Sequence, residues 1–440
     1  MIGVLDKLFF KGRDISVKKE IEGGIATFFT MSYIIFVQPT ILAKLGMDTG
    51  AVMVATCLSS ALATLIMGLL ANYPIALAPG MGHNFLFVII ATSLGINWEK
   101  ALGLVFISGS LFILLSCVPF REKILNDIPN GLKHGISVGI GFLITLIGFE
   151  WSGIVVSAPG TLVGLGNLKG TVQLITLAGL ALILYLYTKG VSASILWGIF
   201  VSTFLCILTG LTEFKGVVSA PPSIAPTFLK LDIKGLLNTN YLTAIFVFLF
   251  LDVFDAVGTL VGVGEQGKFI VNGKLPNAKS AFFADAAGTT IGSILGTSTV
   301  TSYIESAAGV GVGARTGLAS VVTALFFILA LFFYPLVQTI GGGVEIGGAV
   351  FYPSIAPALI FVGFLMIQNV KNINFHELEE AFPAFCAIIV TPLTFSITDG
   401  IAFGFISYTL IMIFKGKIKN TSPIVAVLSI LFILKYLFLK

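Results

Sequence analysis

Residues 297–317 read TSTVTSYIESAAGVGVGARTG. One carboxylate, Glu305, stands there between a run of hydroxyl residues and a run of glycines. The surrounding chain of 440 residues is 56% hydrophobic and only 10% charged, with mean hydropathy +1.03. Soluble globular domains carry about 25% charged residues. Apolar runs of membrane-spanning length recur along nearly the whole sequence, which identifies a polytopic membrane protein and excludes a soluble enzyme or a nucleic-acid-binding domain. Lipid does not satisfy unpaired backbone groups, so a segment as glycine-broken as this one must be buried in protein or face a wet cavity. Its glycines let backbone approach a ligand, and its carboxylate is a strong hydrogen-bond acceptor.

Apolar runs between turn signals fall at about 23–43, 50–70, 81–94, 101–119, 135–150, 171–188 and 191–211 in the first half. They fall at about 241–262, 281–296, 301–313, 317–337, 353–370, 381–396 and 399–414 in the second. The polar stretch TEFKGVVSAPPSIAPTFLKLDIKG divides the two sets, and a further apolar run at 422–438 either crosses or lies along the surface. Each half has two fairly full segments followed by a short, glycine-broken one, ALAPGMGHNFLF (76–87) in the first and the opening stretch in the second. The interval from Gln38 to His83 is close to that from Asp255 to Glu305. Seven segments per half is an odd number, so the halves enter the membrane from opposite sides. Paired broken segments in matching positions point to a transporter's binding site. The expected fold is all-α, with about 14 transmembrane segments in a 7+7 inverted repeat.

Basic residues orient this ladder. With the N-terminal tail and every loop after an even-numbered span on the cytoplasmic side, that side receives Lys11, Arg13, Arg121, Lys123, Lys189, Lys268, Lys274, Arg315, Lys415 and Lys417, among others. The opposite loops are poorer, which places the N-terminus in the cytoplasm by the positive-inside rule. Residues 1–22 read as a cytosolic amphipathic lead-in, not as a signal peptide, because the charges follow the short apolar patch. Cys57, Cys117, Cys206 and Cys386 lie in or at the ends of apolar runs without metal-ligand spacing and read as small hydrophobes. No metal or cofactor is expected.

A charge at mid-bilayer costs roughly 2.5–3.5 kcal/mol on insertion scales, so buried acids there normally do work. Asp252 and Asp255 in LDVFDAVGTLVGVGEQ (251–266) share one broad side of a helix, three residues apart. Asp252 equally suits a structural carboxylate pinned by neighbouring donors. Asp285 and Thr289 are placed to hold the second broken segment. Gln38, before Pro39, either lines a cavity or caps a helix break. Thr27, Thr30 and Ser32 either face the site or bond back to their own helix. GVGVG and VGVGEQG lack a GxxxxGK[ST] pattern, which argues against ATP-driven transport. A channel would call for a filter sequence or a ring of charge, and a membrane enzyme for clustered acid–base or metal groups. The three histidines, His83, His134 and His376, are scattered.

GGIATFFTMSYIIFVQPTIL (23–42), APGMGHNF (78–85), DVFDAVGTLVG (252–262) and SYIESAAGVGVGARTGL (302–318) together resemble the nucleobase–cation symporter-2 superfamily, and within it the adenine/guanine/hypoxanthine permease branch. The resemblance covers essentially the whole chain in order. It implies short extended stretches in segments 3 and 10 with the substrate between them. It also implies a core made of 23–119 and 241–337 and a gate made of 135–211 and 353–414, with the gate as the surface of a homodimer. The family's binding acids fall on Asp255 and Glu305, and its segment-3 site on His83 and Asn84. Gln38, Ala256, His83 and Ala314 depart from residues common in the branch, which leaves the preferred purine and the coupling stoichiometry open.

The implied function is import of a purine nucleobase by proton symport with alternating access, in the cell membrane. Sodium coupling, and a xanthine, urate or pyrimidine substrate on the same fold, are the alternatives. The site residues are then Glu305, Asp255, His83, Asn84, Thr27, Phe254, Tyr303 and Ser306, with Asp255 and Glu305 carrying the proton dependence. Phe28 is a further candidate to cover a ring face. A carboxylate accepts ring or exocyclic N–H groups, and backbone amides donate to ring nitrogens or a carbonyl.

Overall fold

Pro79 and Gly80 in the first half, and Gly296 with the hydroxyl run after it in the second, stop helices inside the apolar slab. The computed structural model shows how the chain manages this. It describes all residues except 1–5, 11–14, 118–128, 159, 237, 272–274 and 439–440. Lys11, Arg13, Arg121, Lys123 and Lys274 of the charge argument lie outside the described residues.

Val17–Met31 (α1) and Ile34–Leu42 (α2) make the first span, and Thr49–Ile66 (α3) begins the second. Leu77–Pro79 (β1) then runs extended into Met81–Ser93 (α4), and Trp98–Cys117 (α5) follows. The second half repeats the order: Thr239–Gln266 (α6), Ala278–Leu295 (α7), extended Val300–Ser302 (β2), Ser306–Val312 (α8) and Gly317–Ala330 (α9). Gly296, at φ +102°, closes α7 in a left-handed turn that a side chain would strain.

β1 and β2 pair antiparallel, with Leu77 opposite Ser302, Ala78 opposite Thr301 and Pro79 opposite Val300. The Gly80 amide donates to the Thr299 carbonyl at 3.0 Å and the Tyr303 amide to the Ala76 carbonyl at 2.9 Å, extending the ladder at both ends. Thr64 of α3 serves the other edge of β1: its hydroxyl accepts from the Leu77 amide at 2.9 Å and lies 3.2 Å from the Leu77 carbonyl. Backbone freed by breaking two helices is thereby satisfied inside the protein, as the bilayer requires. Close packing holds the frame around it. A methyl on Gly317 of α9 would collide with the Gly68 carbonyl, and one on Gly23 of α1 would stand 2.6 Å from the Ala314 methyl and 2.9 Å from the Gly309 carbonyl. Small residues at such crossings let helix backbones approach where lipid offers no hydrophobic drive.

By contacts the chain forms two compact units, one from Met1–Cys117 and Leu168–Ala358, the other from Val118–Asn167 and Leu359–Lys440. The paired breaks lie wholly in the first. Helices Thr171–Thr188 and Ser194–Leu208 also group with it. Core and gate are parts defined by movement, so this grouping by compactness does not test them. In the second unit, helix Asn130–Trp151 packs on its neighbours through Gly139 against the Ala387 carbonyl, Gly141 against Gly363 and Gly148 against Ile360. These glycines pack helices within this one unit.

Eight described helices are long and apolar enough to cross a membrane, and Met81–Ser93, Ser194–Leu208 and Val425–Leu434 are apolar but shorter. The protein is therefore a mostly helical, multi-pass membrane protein. The expected all-α class needs one addition. Besides β1 and β2, two short hairpins form, Val155–Ala158 with Thr161–Leu165 and Val344–Ile346 with Ala349–Phe351. The apolar run at 422–438 is helical from Pro423 to Phe438.

Replacing Gly317 by valine is expected to cost about 1–3 kcal/mol through overpacking. A lowered melting midpoint of the purified protein in detergent would show it, and an unchanged midpoint would contradict the crossing described here.

Candidate binding site at the paired breaks

Glu305 sits where β2 turns into α8, and Asp255 lies partway along α6. α6, which carries Asp255, packs against β2 and α8, the two elements that flank Glu305. Asp252 is fully buried, whereas the Asp255 side chain is 39% exposed although it lies only three residues on. His83, at the start of α4, is itself buried and places Nδ1 3.9 Å from Asp255 Oδ2, beyond a hydrogen bond but within ion-pair range for a protonated ring. His83 at the first break and Asp255 of α6 thus lie side by side, and α6 packs on the second break, which carries Glu305.

Tyr303, next but one before Glu305, is pinned. Its hydroxyl donates to the Pro79 carbonyl at 2.6 Å, tying the second break to the first. Ser306 does the same from the other side of Glu305: its hydroxyl accepts from the Ala76 amide at 3.0 Å. Asn84 accepts from Ser298 at 2.5 Å, and its amide nitrogen has no protein partner among the described residues. Gln38 reaches across from α2 and donates to Thr297 and Ser298, each at 2.9 Å. It therefore braces the approach to β2 instead of capping its own helix break.

Thr27 is buried against Gly309 of α8. Thr30 and Ser32 bond back to the carbonyls of Ala26 and Phe29, the local alternative their sequence context allowed. Phe254 stacks on Phe250, with ring centroids 4.3 Å apart. Phe28 packs among Phe29, Phe326 and Phe327, in an aromatic cluster separate from the carboxylates.

A second pair of acids lies behind the strands. Asp252 Oδ2 accepts from Thr289 at 2.8 Å, and the Thr289 hydroxyl also lies 3.0 Å from the Val300 carbonyl. Asp285 Oδ2 accepts from both the amide and the hydroxyl of Ser302. Asp285 and Thr289 are four apart on α7 and so share a face, which they turn to β2. These two acids hold the strand, as the position of Asp285 and Thr289 in span 9 predicts. For Asp252 the structural reading of the sequence fits better than a ligand-facing one.

Tyr33 was not among the sequence candidates. It stands at the junction of α1 and α2, is 1% exposed, and donates to Glu305 Oε1 at 2.7 Å. The available signal was chemical: a phenol in the middle of an apolar span needs a partner for its O–H. The site as a whole presents two carboxylates, orientable amide and imidazole groups and apolar rings. That set suits a flat, neutral ligand edged with N–H donors.

Thr289→Val removes the partner of a fully buried carboxylate, at an expected cost of about 1–3 kcal/mol. The check is the thermal midpoint in detergent; a variant as stable as the parent would contradict the bracing role.

Residues 18–403 match the model Xan_ur_permease, described as a permease family. The guanine/hypoxanthine permease PbuG of Bacillus subtilis (strain 168) is 42% identical, over 99% of this chain and 100% of its own length. The adenine permease AdeP of Escherichia coli (strain K12) is 39% identical, over 99% of this chain and 97% of its own. Among solved structures, the transmembrane domain of the cyanobacterial bicarbonate transporter BicA superposes with TM-score 0.61 at 13% identity, covering 88% of this chain and 97% of that domain. SLC26A9 superposes with TM-score 0.65 at 10% identity, covering 94% of this chain and 69% of that one. The last two share the fold only. On the family match and the full-length identities, this chain belongs to that permease family and is a multi-pass membrane transporter, not an enzyme.

Proposed function

We propose that this protein imports purine nucleobases, of the adenine and guanine/hypoxanthine type, by proton symport with alternating access. The observation that carries the reading is the convergence of Asp255 and Glu305 at the paired breaks, one partly exposed and the other with a single oxygen engaged by protein. Full-length relatives named as guanine/hypoxanthine and adenine permeases support the substrate class. Glu305 accepts an N–H of the base. Asp255 contacts the base too and takes part in the proton dependence, with His83 beside it. Asn84 offers a buried amide, and Phe254 and Tyr303 offer ring surfaces. Thr27 and Ser306 act from the second row, by holding α8.

The fourteen-segment inverted repeat belongs to this proposal. It is supported by the repeated order of elements around β1 and β2 and by the likeness of fold to the transporters named above. The core of 23–119 and 241–337 would carry the base past the gate of 135–211 and 353–414, and the gate would form the surface of a dimer. The N-terminus faces the cytoplasm of a cell membrane. A thiol placed at Lys268 should then be labelled from the cytoplasmic side, and one at Lys100 from the other.

Labelled hypoxanthine uptake into proteoliposomes tests the reading. An inward proton gradient should stimulate it, an inward sodium gradient should not, and unlabelled adenine or guanine should compete. Glu305→Gln and Asp255→Asn should each lower uptake by roughly tenfold or more, the scale of one hydrogen bond to a charged group. Competition by xanthine or uracil alone would overturn the substrate, and stimulation by sodium alone would overturn the coupling ion.

A further inference from the structure

We propose that Tyr33 is a specificity-determining residue that takes up one side of Glu305 Oε1, so that the site favours a base edge with a single N–H over one with two adjacent N–H donors. This rests on the purine reading above. The tyrosine is held for the purpose. Around Ser32 and Tyr33 the first span tightens, with the Ile35 amide donating to Ser32 and the Phe36 amide to Tyr33, both at 3.1 Å in i to i+3 bonds. Such a tight turn inside a helix marks a functional position. The phenol is 1% exposed, its ring lies 6.5 Å from that of Tyr303 at 45°, and its hydroxyl donates to Glu305 Oε1 at 2.7 Å. Tyr303 is in turn fixed to Pro79, so the ring beside Tyr33 cannot rotate away without breaking the link between the two breaks.

A carboxylate binds two parallel N–H donors through both oxygens, in the fork geometry familiar from guanidinium pairs. Guanine offers such an edge, with N1–H beside the 2-amino group, whereas hypoxanthine offers N1–H without a neighbour. With one lone pair of Oε1 taken by Tyr33, a second donor on that oxygen must share it, so a fork gains less than it would on an unengaged carboxylate, while Oε2 takes a single N–H at full strength. A site built for one pattern of donors discriminates against the other because mismatched groups are left unpaired.

The test is equilibrium binding of tritiated hypoxanthine to the purified full-length protein, competed by unlabelled guanine and hypoxanthine. Tyr33→Phe keeps the ring and removes the O–H. It should weaken hypoxanthine binding by several-fold and raise the guanine-to-hypoxanthine affinity ratio by roughly tenfold, one bond to a charged group. In a Glu305→Gln background the same substitution should leave the ratio unchanged, because residues that act through one contact are not additive. A purely structural role would weaken both bases equally and leave the ratio alone in both backgrounds, which would overturn the proposal. Wild-type protein that binds guanine more than tenfold tighter than hypoxanthine would overturn it without any variant. Wild-type protein that binds no purine would instead overturn the functional reading on which it rests.

Discussion

Two helices that stop inside an apolar slab leave backbone donors and acceptors that lipid will not take up, and here each break supplies the other's partners. A set of buried polar side chains is arranged around that exchange. Thr64 and Ser306 secure β1 and the residue before it, while Asp285 and Thr289 secure β2. Gln38 and Asn84 secure the hydroxyl run that leads into β2. An unpaired buried amide or hydroxyl costs about 1–3 kcal/mol by mutational measures, so the ladder and its braces decide whether the breaks form at all. The same constraint fixes the site, because the residues that leave the ladder, Glu305 and His83, emerge at the points where the half-helices begin.

The interior acids divide by exposure. Asp285 takes two donors from Ser302 and Asp252 takes one from Thr289, and both are buried behind the strand. Glu305 takes one donor from Tyr33 and Asp255 lies 3.9 Å from the His83 ring, and both are partly exposed. Charged groups removed from water need partners. A ligand's N–H groups can reach the partly exposed pair, and the proposed transport builds on that access.

Much of this was legible in the letters. Pro79, Gly80 and the TST run announced the two breaks, and the spacing of Glu305 and Asp255 from them announced the site. The partner of each buried group was not legible, because a side chain's partner depends on helix rotation and on contacts between residues more than 200 positions apart. Tyr33 was hidden for that reason, reading as one more aromatic in an apolar run. Gln38 left cavity lining and helix capping open, and its bonds to Thr297 and Ser298 give it a third role, bracing the approach to β2. The hairpins at 155–165 and 344–351 escaped notice because their alternation is short and their flanking runs are helical.

The central claim is that the paired breaks present Asp255 and Glu305 to the same bound base. An experimental structure of the protein with hypoxanthine tests it most directly. The account predicts density for one flat ligand with an edge on Glu305 Oε2 and within hydrogen-bond reach of Asp255, while Tyr33 keeps Oε1. Ligand density away from both carboxylates, or a structure in which β1 and β2 do not pair, would contradict it.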